Sequence, residues 1–247
     1  MYLSWIIPAY NEEERIASTV RAVDRYLMQK SFDYEIIVVD NASSDRTADI
    51  VEHMRQEFPR LRILQTKGPG KGWAVRHGML EASGEIRCFA DADNSVSPEQ
   101  ADAFLPLVCS TAATGACFDV VIGSIGVPGA IVMERAQWYR RTLGKLAKLV
   151  IRIVSGLWEI RDSQRGFKFF SRRAAETIFP KQRLTGWGFD FELLLIARRN
   201  GLATKELPVK WVNPPGSKVS LKAYATTLME LFRMKWNDLR GRYGSRI

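Results

Sequence analysis

The chain has 247 residues, 36 Lys and Arg against 27 Asp and Glu, and a formal charge of +9. With 46% hydrophobic and 26% charged side chains, it has a globular composition and enough length for one large α/β core, which excludes a mostly disordered chain. Its three cysteines, Cys88, Cys109 and Cys117, form no CxxC pair, so neither a disulfide framework nor a cysteine zinc site is expected, and a reducing compartment is the default.

The chain opens on an apolar run, Tyr2 to Ile7, closed by Pro8, with no basic leader or cleavage pattern ahead of it. Strands are expected at Leu3–Ile7, Glu35–Val39, Leu61–Leu64, Ile86–Ala90 and Asp119–Ile122. Helical patterns fill the gaps at Glu13–Met28, Asp45–Phe58, Lys71–Ala82 and Pro98–Val108. Runs such as Ile36-Ile37-Val38-Val39 are apolar on both faces, as in a parallel sheet covered by helices. The alternation predicts a doubly wound, mostly parallel α/β sheet. A membrane-spanning helix needs roughly 20 apolar residues. The nearest candidate, Ala103 to Met133, is broken by Pro106, Gly115, Asp119, Gly123 and Pro128.

The second half changes character. A basic amphipathic stretch, Arg135–Val154, leads into the run from Arg161 to Phe170. A helix is expected at Phe189–Arg199, short strands at Thr204–Leu207 and Val209–Val212, a turn at Pro214-Pro215-Gly216, and a final helix at Leu221–Arg240. Residues 1–132 carry 12 basic and 18 acidic side chains, a balance of −6; residues 133–247 carry 24 and 9, a balance of +15. That asymmetry points to a basic surface for an anionic partner: nucleic acid, membrane lipid or a phosphate substrate.

Ligands of open α/β sheets bind at the carboxyl ends of the strands. Three such ends carry polar clusters: Pro8-Ala9-Tyr10-Asn11-Glu12, Asp40-Asn41-Ala42-Ser43-Ser44-Asp45 and Asp91-Ala92-Asp93. Each has a plain alternative, since Ser44, Asp45 or Asn11 can cap a helix. No G-x-G-x-x-G follows the first strand, and Gly68-Pro69-Gly70-Lys71-Gly72 matches neither that fingerprint nor a P-loop. The Gly-rich segment suits a phosphate at a helix start and a simple turn about equally. In Asp91-Ala92-Asp93 the alternation sends both carboxylates to one side, where two hard oxygen ligands suit Mg²⁺ or Mn²⁺ completed by phosphates and water. His53 reads as a surface residue of a polar helix, and His77 is ambiguous.

The segments PAYNE, VVDNASSDRT, GKGWAVRHGM, ADADNS, RDSQRGFKFF, GWGFDFELL and PGSK, in that order between Ser4 and Lys218, resemble glycosyltransferase family 2 with its GT-A fold. Within it the likeness is closest to dolichyl-phosphate β-glucosyltransferases and other polyprenyl-phosphate glycosyltransferases. The resemblance implies an inverting, metal-dependent transfer of a hexose, glucose from UDP-glucose first, to a polyprenyl or dolichyl phosphate on the cytoplasmic face of a membrane. It implies that Pro8, Ala9, Tyr10, Glu12 and Asp40 line the nucleotide and that Lys71 lies near the donor. Asp91, Ala92 and Asp93 would meet the diphosphate, with Asp91 and Asp93 on the Mg²⁺ or Mn²⁺. Arg165, Gly166, Phe167, Lys168 and Glu192 would lie on the acceptor side, together with Arg135 and Lys218. Catalytic weight falls on Asp93, Asp190, Arg165 and Lys168. Asp190 would orient a cation such as Arg165 or Lys168, or else serve as base.

Two departures stand out: Ser95 occupies a place where mannosyltransferase relatives tend to have Gln, and Gly123-Ser124-Ile125 lacks the Arg of a common Gly-Ser-Arg, which Arg135 would replace. Residues 1–218 are expected to form the catalytic domain, with 219–247 a basic amphipathic helix and tail packed on it. Other readings stay open: a GDP-mannose donor, a hydroxyl acceptor, a sugar-nucleotide pyrophosphorylase, or a basic nucleic-acid-binding module. The pyrophosphorylase lacks its Gly-rich first loop here, and no nucleic-acid reader motif is present.

Overall fold

The computed structural model describes residues 1–68, 70–113, 115–133, 149–212 and 221–244, with the side chains of 221–225 set aside. The apolar runs become strands β1 (Leu3–Ala9), β2 (Tyr34–Asn41), β3 (Leu61–Thr66), β4 (Ile86–Ala90) and β5 (Val120–Ser124). Two more, β7 (Phe167–Ser171) and β8 (Thr204–Pro208), complete a seven-stranded sheet in the order β3-β2-β1-β4-β7-β5-β8. A short parallel pair, β6 (Ile131–Met133) and β9 (Lys210–Val212), stands apart from it.

Successive strand residues point to opposite faces, and both faces are covered, which is why these strands read as unbroken apolar runs. Trp5, Ile7, Ile36 and Val38 pack under α1 (Ile16–Leu27) and α2 (Thr47–Met54). Ile6, Ile37 and Val39 pack on the other side, in a cluster shared by α3 (Lys71–Glu81), α4 (Arg172–Ile178), α5 (Phe189–Arg199) and α6 (Leu221–Leu239). Leu231 and Met234 of α6, with Tyr243 beyond it, are buried in that same cluster.

Strand order fixes where a ligand can sit. From β1 the chain moves outward to β2 and β3, then returns to place β4 on the other side of β1. The crevice at the carboxyl ends of β1 and β4 is the topological switch point of the sheet. Strand β7 is antiparallel to both β4 and β5. Its beginning therefore lies at the edge where the parallel strands end, with Phe167 paired to Ala90. Arg165 and Gly166 arrive beside Asp91 by that register alone.

Several expectations need correction. Pro98–Val108 is not an α-helix but two short 3₁₀ turns, Pro98–Ala103 and Leu105–Leu107; Pro106, which has no N–H to donate, stands in the second. Cys109 and Cys117 are joined in a disulfide across an eight-residue loop. Strand-like pairing closes that loop, with the Cys109 amide on the Phe118 carbonyl (2.9 Å) and the Phe118 amide on the Leu107 carbonyl (2.8 Å). Spacing alone did not show this, and the argument for a reducing compartment loses its basis. Cys88 is free and buried. Of the basic stretch Arg135–Val154, only residues from 149 onward are described, and 149–155 are helical. Arg135, Lys218 and the Pro214-Pro215-Gly216 turn lie outside the described residues. No helix among the described residues is long and apolar enough to cross a membrane.

Helix α3 crosses the sheet at Gly78, where an added Cβ would stand 2.7 Å from Ile6 Cγ2 and 2.8 Å from Val39 Cγ2. Overpacking of this kind costs about 1–3 kcal/mol. Gly78→Val should lower the denaturant midpoint accordingly, while Gly115→Ala, with nothing within 4 Å of the added carbon, should leave it unchanged.

Candidate active site

The loops after β1 and β2 are stitched together by short polar side chains. Ser43 Oγ accepts from the Asn11 amide (3.0 Å), Asn11 Oδ1 from the Ser44 amide (2.8 Å), and Thr47 Oγ1 from the Glu12 amide (2.8 Å). Asp45 accepts from the Glu13 and Thr47 amides (3.1 and 3.0 Å), so its work is structural. Three non-glycine residues adopt left-handed backbone: Asn11 (φ 53°), Ala42 (φ 56°) and Asn94 (φ 51°). Each follows a strand, β1, β2 or β4, at the same edge of the sheet. Such conformations cost energy and persist where packing and hydrogen bonds over-determine them.

This stitching presents a buried carboxylate at the crevice. Asp40, at the carboxyl end of β2, is 4% exposed. Its Oδ2 lies 3.4 Å from the Ser43 amide, while Oδ1 is buried without a hydrogen-bond partner among the described residues. Beside it, Asn41 donates to the Gly70 carbonyl (3.2 Å) and keeps an unpartnered Oδ1. Unpaired buried acceptors are costly unless a donor arrives from a ligand. Ala9 is buried in the strand before this edge and Tyr10 stands 54% exposed at its rim, immediately after Pro8 and Ala9. Glu12 is engaged with Arg15 (2.5 Å).

Asp91 and Asp93 lie in the turn just past β4 rather than in the strand. Ser95 donates to Asp93 Oδ1 from both its amide (2.9 Å) and its hydroxyl (2.7 Å), fixing that carboxylate. Ala92 is buried between them, its carbonyl bonded by Thr19 Oγ1 (2.6 Å). Asp91 forms an ion pair with Lys71, the first residue of α3. Burial works against the Lys71 charge, but the Asp91, Asp190 and Asp93 carboxylates outweigh it and raise its pKa above the ordinary lysine value. Gly166 lets the Asp91 carboxylate lie against the backbone: a Cβ would fall 2.2 Å from Asp91 Oδ1 and displace it, and the Gly166 carbonyl accepts from the Asp91 amide (3.1 Å).

Behind this edge lies a buried ion pair. Lys168 points from β7 into the α5 side of the sheet, where its Nζ meets Asp190 Oδ1 (2.5 Å) and the Arg165 carbonyl (2.5 Å). Lys168 is fully buried and the Asp190 side chain is 4% exposed. Asp190 thus holds a lysine. Burial raises the Asp190 carboxyl above the usual range, against the pull of Lys168 and Lys71. Arg165 is held by Asp162 (3.1 Å), and its guanidinium lies 4.6 Å from the Trp211 ring centre.

Three residues expected on the acceptor side are fully buried in this structure. Phe167 is fully buried in the aromatic cluster with Trp5, Phe104 and Phe169. Lys168 has no exposed surface and is bonded to the Arg165 carbonyl and Asp190. Glu192, also fully buried, accepts from the Leu184 amide (2.8 Å), the Arg183 amide (3.1 Å) and the Tyr243 hydroxyl (2.5 Å). Glu192 thereby anchors the segment before α5 to the end of the chain. Two further residues escaped the sequence reading. Trp187, 37% exposed, has its ring 5.7 Å from Lys71 Nζ. Glu230 of α6 accepts from the amides on either side of it, Gly186 (3.0 Å) and Gly188 (2.8 Å). The Gly-rich segment also serves this contact, since the Gly72 amide donates to the Thr185 carbonyl (2.8 Å).

No group of three or more His, Cys, Asp or Glu that could hold a metal occurs among the described residues. The donor set is two carboxylates, with Asp93 Oδ1 already bonded to Ser95 and Asp91 shared with Lys71. That set fits Mg²⁺ or Mn²⁺ drawing most of its coordination from a diphosphate and water, and does not suit a closed protein cage.

Comparison with known proteins identifies the family and the fold. Residues 4–179 match the model of glycosyl transferase family 2. The chain is 33% identical over 243 residues to a dolichyl-phosphate beta-glucosyltransferase of Trichomonas vaginalis, covering 95% of this chain and 73% of that one. It is 31% identical to the Saccharomyces cerevisiae protein of that name, covering 90% and 70%, and 30% identical to the human one, covering 88% and 69%. Among solved structures it resembles glucosyl-3-phosphoglycerate synthase from Mycobacterium tuberculosis, crystallised with Mn²⁺, UDP and phosphoglyceric acid. That likeness has a TM-score of 0.66 at 20% identity, covering 100% of this chain and 80% of that one, and it speaks to the fold. The chain belongs to glycosyl transferase family 2, has the expected mostly parallel GT-A architecture, and is a hexosyltransferase.

Burial pushes the Glu192 carboxyl up to about 7, overriding the hydrogen bonds from Tyr243, Leu184 and Arg183 that favour the anion. The unfolded chain releases this proton near 4.5, so between about 4.5 and about 7 the folded state binds more protons and stability falls as pH rises. The loss amounts to about 3 kcal/mol across the window. Glu192→Gln should flatten that stretch of the stability–pH curve, measured by denaturant titration at successive pH values.

Proposed function

We propose that this family 2 transferase moves glucose from UDP-glucose to the phosphate of a polyprenol such as dolichyl phosphate, with inversion at the sugar's C1. The observation that carries the reading is the Asp91 and Asp93 carboxylates at the switch point, Asp91 set against Lys71, with the unpartnered Asp40 Oδ1 at the end of β2. The names of the relatives supply the sugar and the acceptor.

In this reading Asp40 Oδ1 accepts from a donor N–H of the nucleotide base, with Pro8, Ala9, Tyr10 and Glu12 around base and ribose. Asp91 and Asp93 hold a divalent cation, which when bound supplies positive charge to the departing diphosphate. Lys71 exchanges part of its contact with Asp91 for the donor. Arg165, stacked on Trp211 and held by Asp162, faces the acceptor phosphate; Arg135 and Lys218 would join it.

A phosphate monoester with a second pKa of about 6 is already largely ionised at neutral pH, so it attacks without a general base. An oxygen of the acceptor phosphate forms the new bond to C1 as the C1–O bond to the diphosphate breaks, and UDP leaves with that electron pair. Catalysis is then positioning and charge management. Asp190 contributes by keeping Lys168 in place beneath Arg165, as a positioning residue.

Purified protein with Mg²⁺ or Mn²⁺, polyprenyl phosphate and a panel of radiolabelled sugar nucleotides tests the reading. Label from UDP-glucose should enter the organic phase, and Asp93→Ala should abolish the metal-dependent signal. Transfer from GDP-mannose instead would reassign the donor, and no transfer from any donor to any polyprenol would sink the proposal.

Asp190→Asn leaves a buried, uncompensated Lys168 and should destabilise the fold by about 3–5 kcal/mol. Lys168→Met together with Asp190→Leu should recover much of that loss in thermal melts. Near-complete loss of turnover in a folded Asp190→Asn protein that still binds donor would make Asp190 a base after all.

A further inference from the structure

Helix α6 is apolar on two opposite sides. Its inner side, Leu231 and Met234, is buried in the core. At about 100° per residue, Leu228, Met229, Phe232 and Trp236 fall within one outward arc of about 100°. These four are 45%, 64%, 58% and 55% exposed. A core helix needs only its inner stripe; four large apolar side chains on one exposed arc are a binding face.

The charges around this arc have one sign. Arg233 and Arg240 lie along one border and Lys235 along the other, with Arg242 just beyond the helix. The two acidic residues of residues 226–242 are turned inward. Glu230 binds the Gly186 and Gly188 amides, and Asp238 is buried against Arg199 (2.7 Å). Apolar and aromatic side chains between cations are the pattern of a helix lying in the headgroup layer of an anionic bilayer. Trp236 suits that layer, and the Arg240 guanidinium lies 4.5 Å from its ring centre.

We propose that α6 docks this protein on an anionic lipid bilayer. Leu228, Met229, Phe232 and Trp236 enter the headgroup–acyl boundary, while Arg233, Lys235 and Arg240 meet lipid phosphates. The same helix reaches the site: Glu230 holds the amides flanking Trp187, whose ring faces Lys71. The docked face and the donor lysine are thus joined by one hydrogen-bonded loop. Docking itself stands on the helix; only its purpose, access to a lipid-borne acceptor, rests on the function proposed above.

Co-sedimentation with phosphatidylcholine vesicles, with and without phosphatidylglycerol and without any acceptor, tests the docking directly. The protein should bind the anionic vesicles, and Phe232→Ser with Trp236→Ser should weaken that binding by about tenfold. Circular dichroism, and transfer to a short water-soluble isoprenyl phosphate, should stay unchanged in this double variant. Transfer to a long polyprenyl phosphate embedded in vesicles should fall. Unchanged partition of the variant would overturn the proposal. So would a dimer in sedimentation velocity that the two substitutions convert to monomer, which would assign the face to a second copy of the chain. Vesicle binding lost in the variant, with no transfer to any acceptor by the parent protein, would leave the docking intact and refute the function.

Discussion

Carboxylates crowd the carboxyl edge of the sheet, and the surrounding structure answers that crowding. Asp40, Asp91 and Asp93 stand at this edge and Asp190 lies buried behind it; among the described residues Lys71 pairs with Asp91 and Lys168 with Asp190. Four negative charges near a low-dielectric wall repel one another and any diphosphate. The chain handles two of them with buried or half-buried lysines, fixes the third through Ser95, and leaves the fourth with an unpaired oxygen. In the function proposed above, a cation and a nucleotide that brings N–H donors would answer these carboxylates together.

The antiparallel strand β7 makes this arrangement possible. Because it runs against β4, its first residues lie where β4 ends, and Gly166 sits against the Asp91 carboxylate. Alternation along β7 then divides its labour. Phe167 and Phe169 go to one core, while Lys168 and Phe170 go to the other, where α5 offers Asp190. One five-residue strand thereby seals the sheet, supports Arg165 through its carbonyl and carries the buried cation.

The sequence showed the parallel strands because each is apolar on both faces, and it showed Asp91-Ala92-Asp93 because that motif follows such a run directly. What it hid depends on long-range packing. Asp190 and Glu192 are two residues apart on one helix and so point to different sides of it; only the placement of α5 decides that Asp190 meets Lys168 while Glu192 meets Tyr243. Phe167 looked like a site residue because it adjoins Arg165 and Gly166, yet strand alternation turns it into the core. The Cys109–Cys117 bridge needed the pairing of Val108 with Phe118, which no spacing rule reveals. Glu230 acts on Gly186 and Gly188 from more than forty residues away.

The division of charge along the sequence acquires a physical meaning from these contacts. The N-terminal 132 residues, at −6, supply Asp40, Asp91 and Asp93, together with Lys71, which pairs with Asp91. The remainder, at +15, turns several of its carboxylates inward: Asp162 on Arg165, Asp190 on Lys168, Glu230 on backbone amides and Asp238 on Arg199. Acidic groups turned inward leave the outer surface of α6 to its cations. A helix that must pack on its own core needs no such sorting. A surface that must attract phosphates does, because a single exposed carboxylate beside them would offset a neighbouring lysine or arginine.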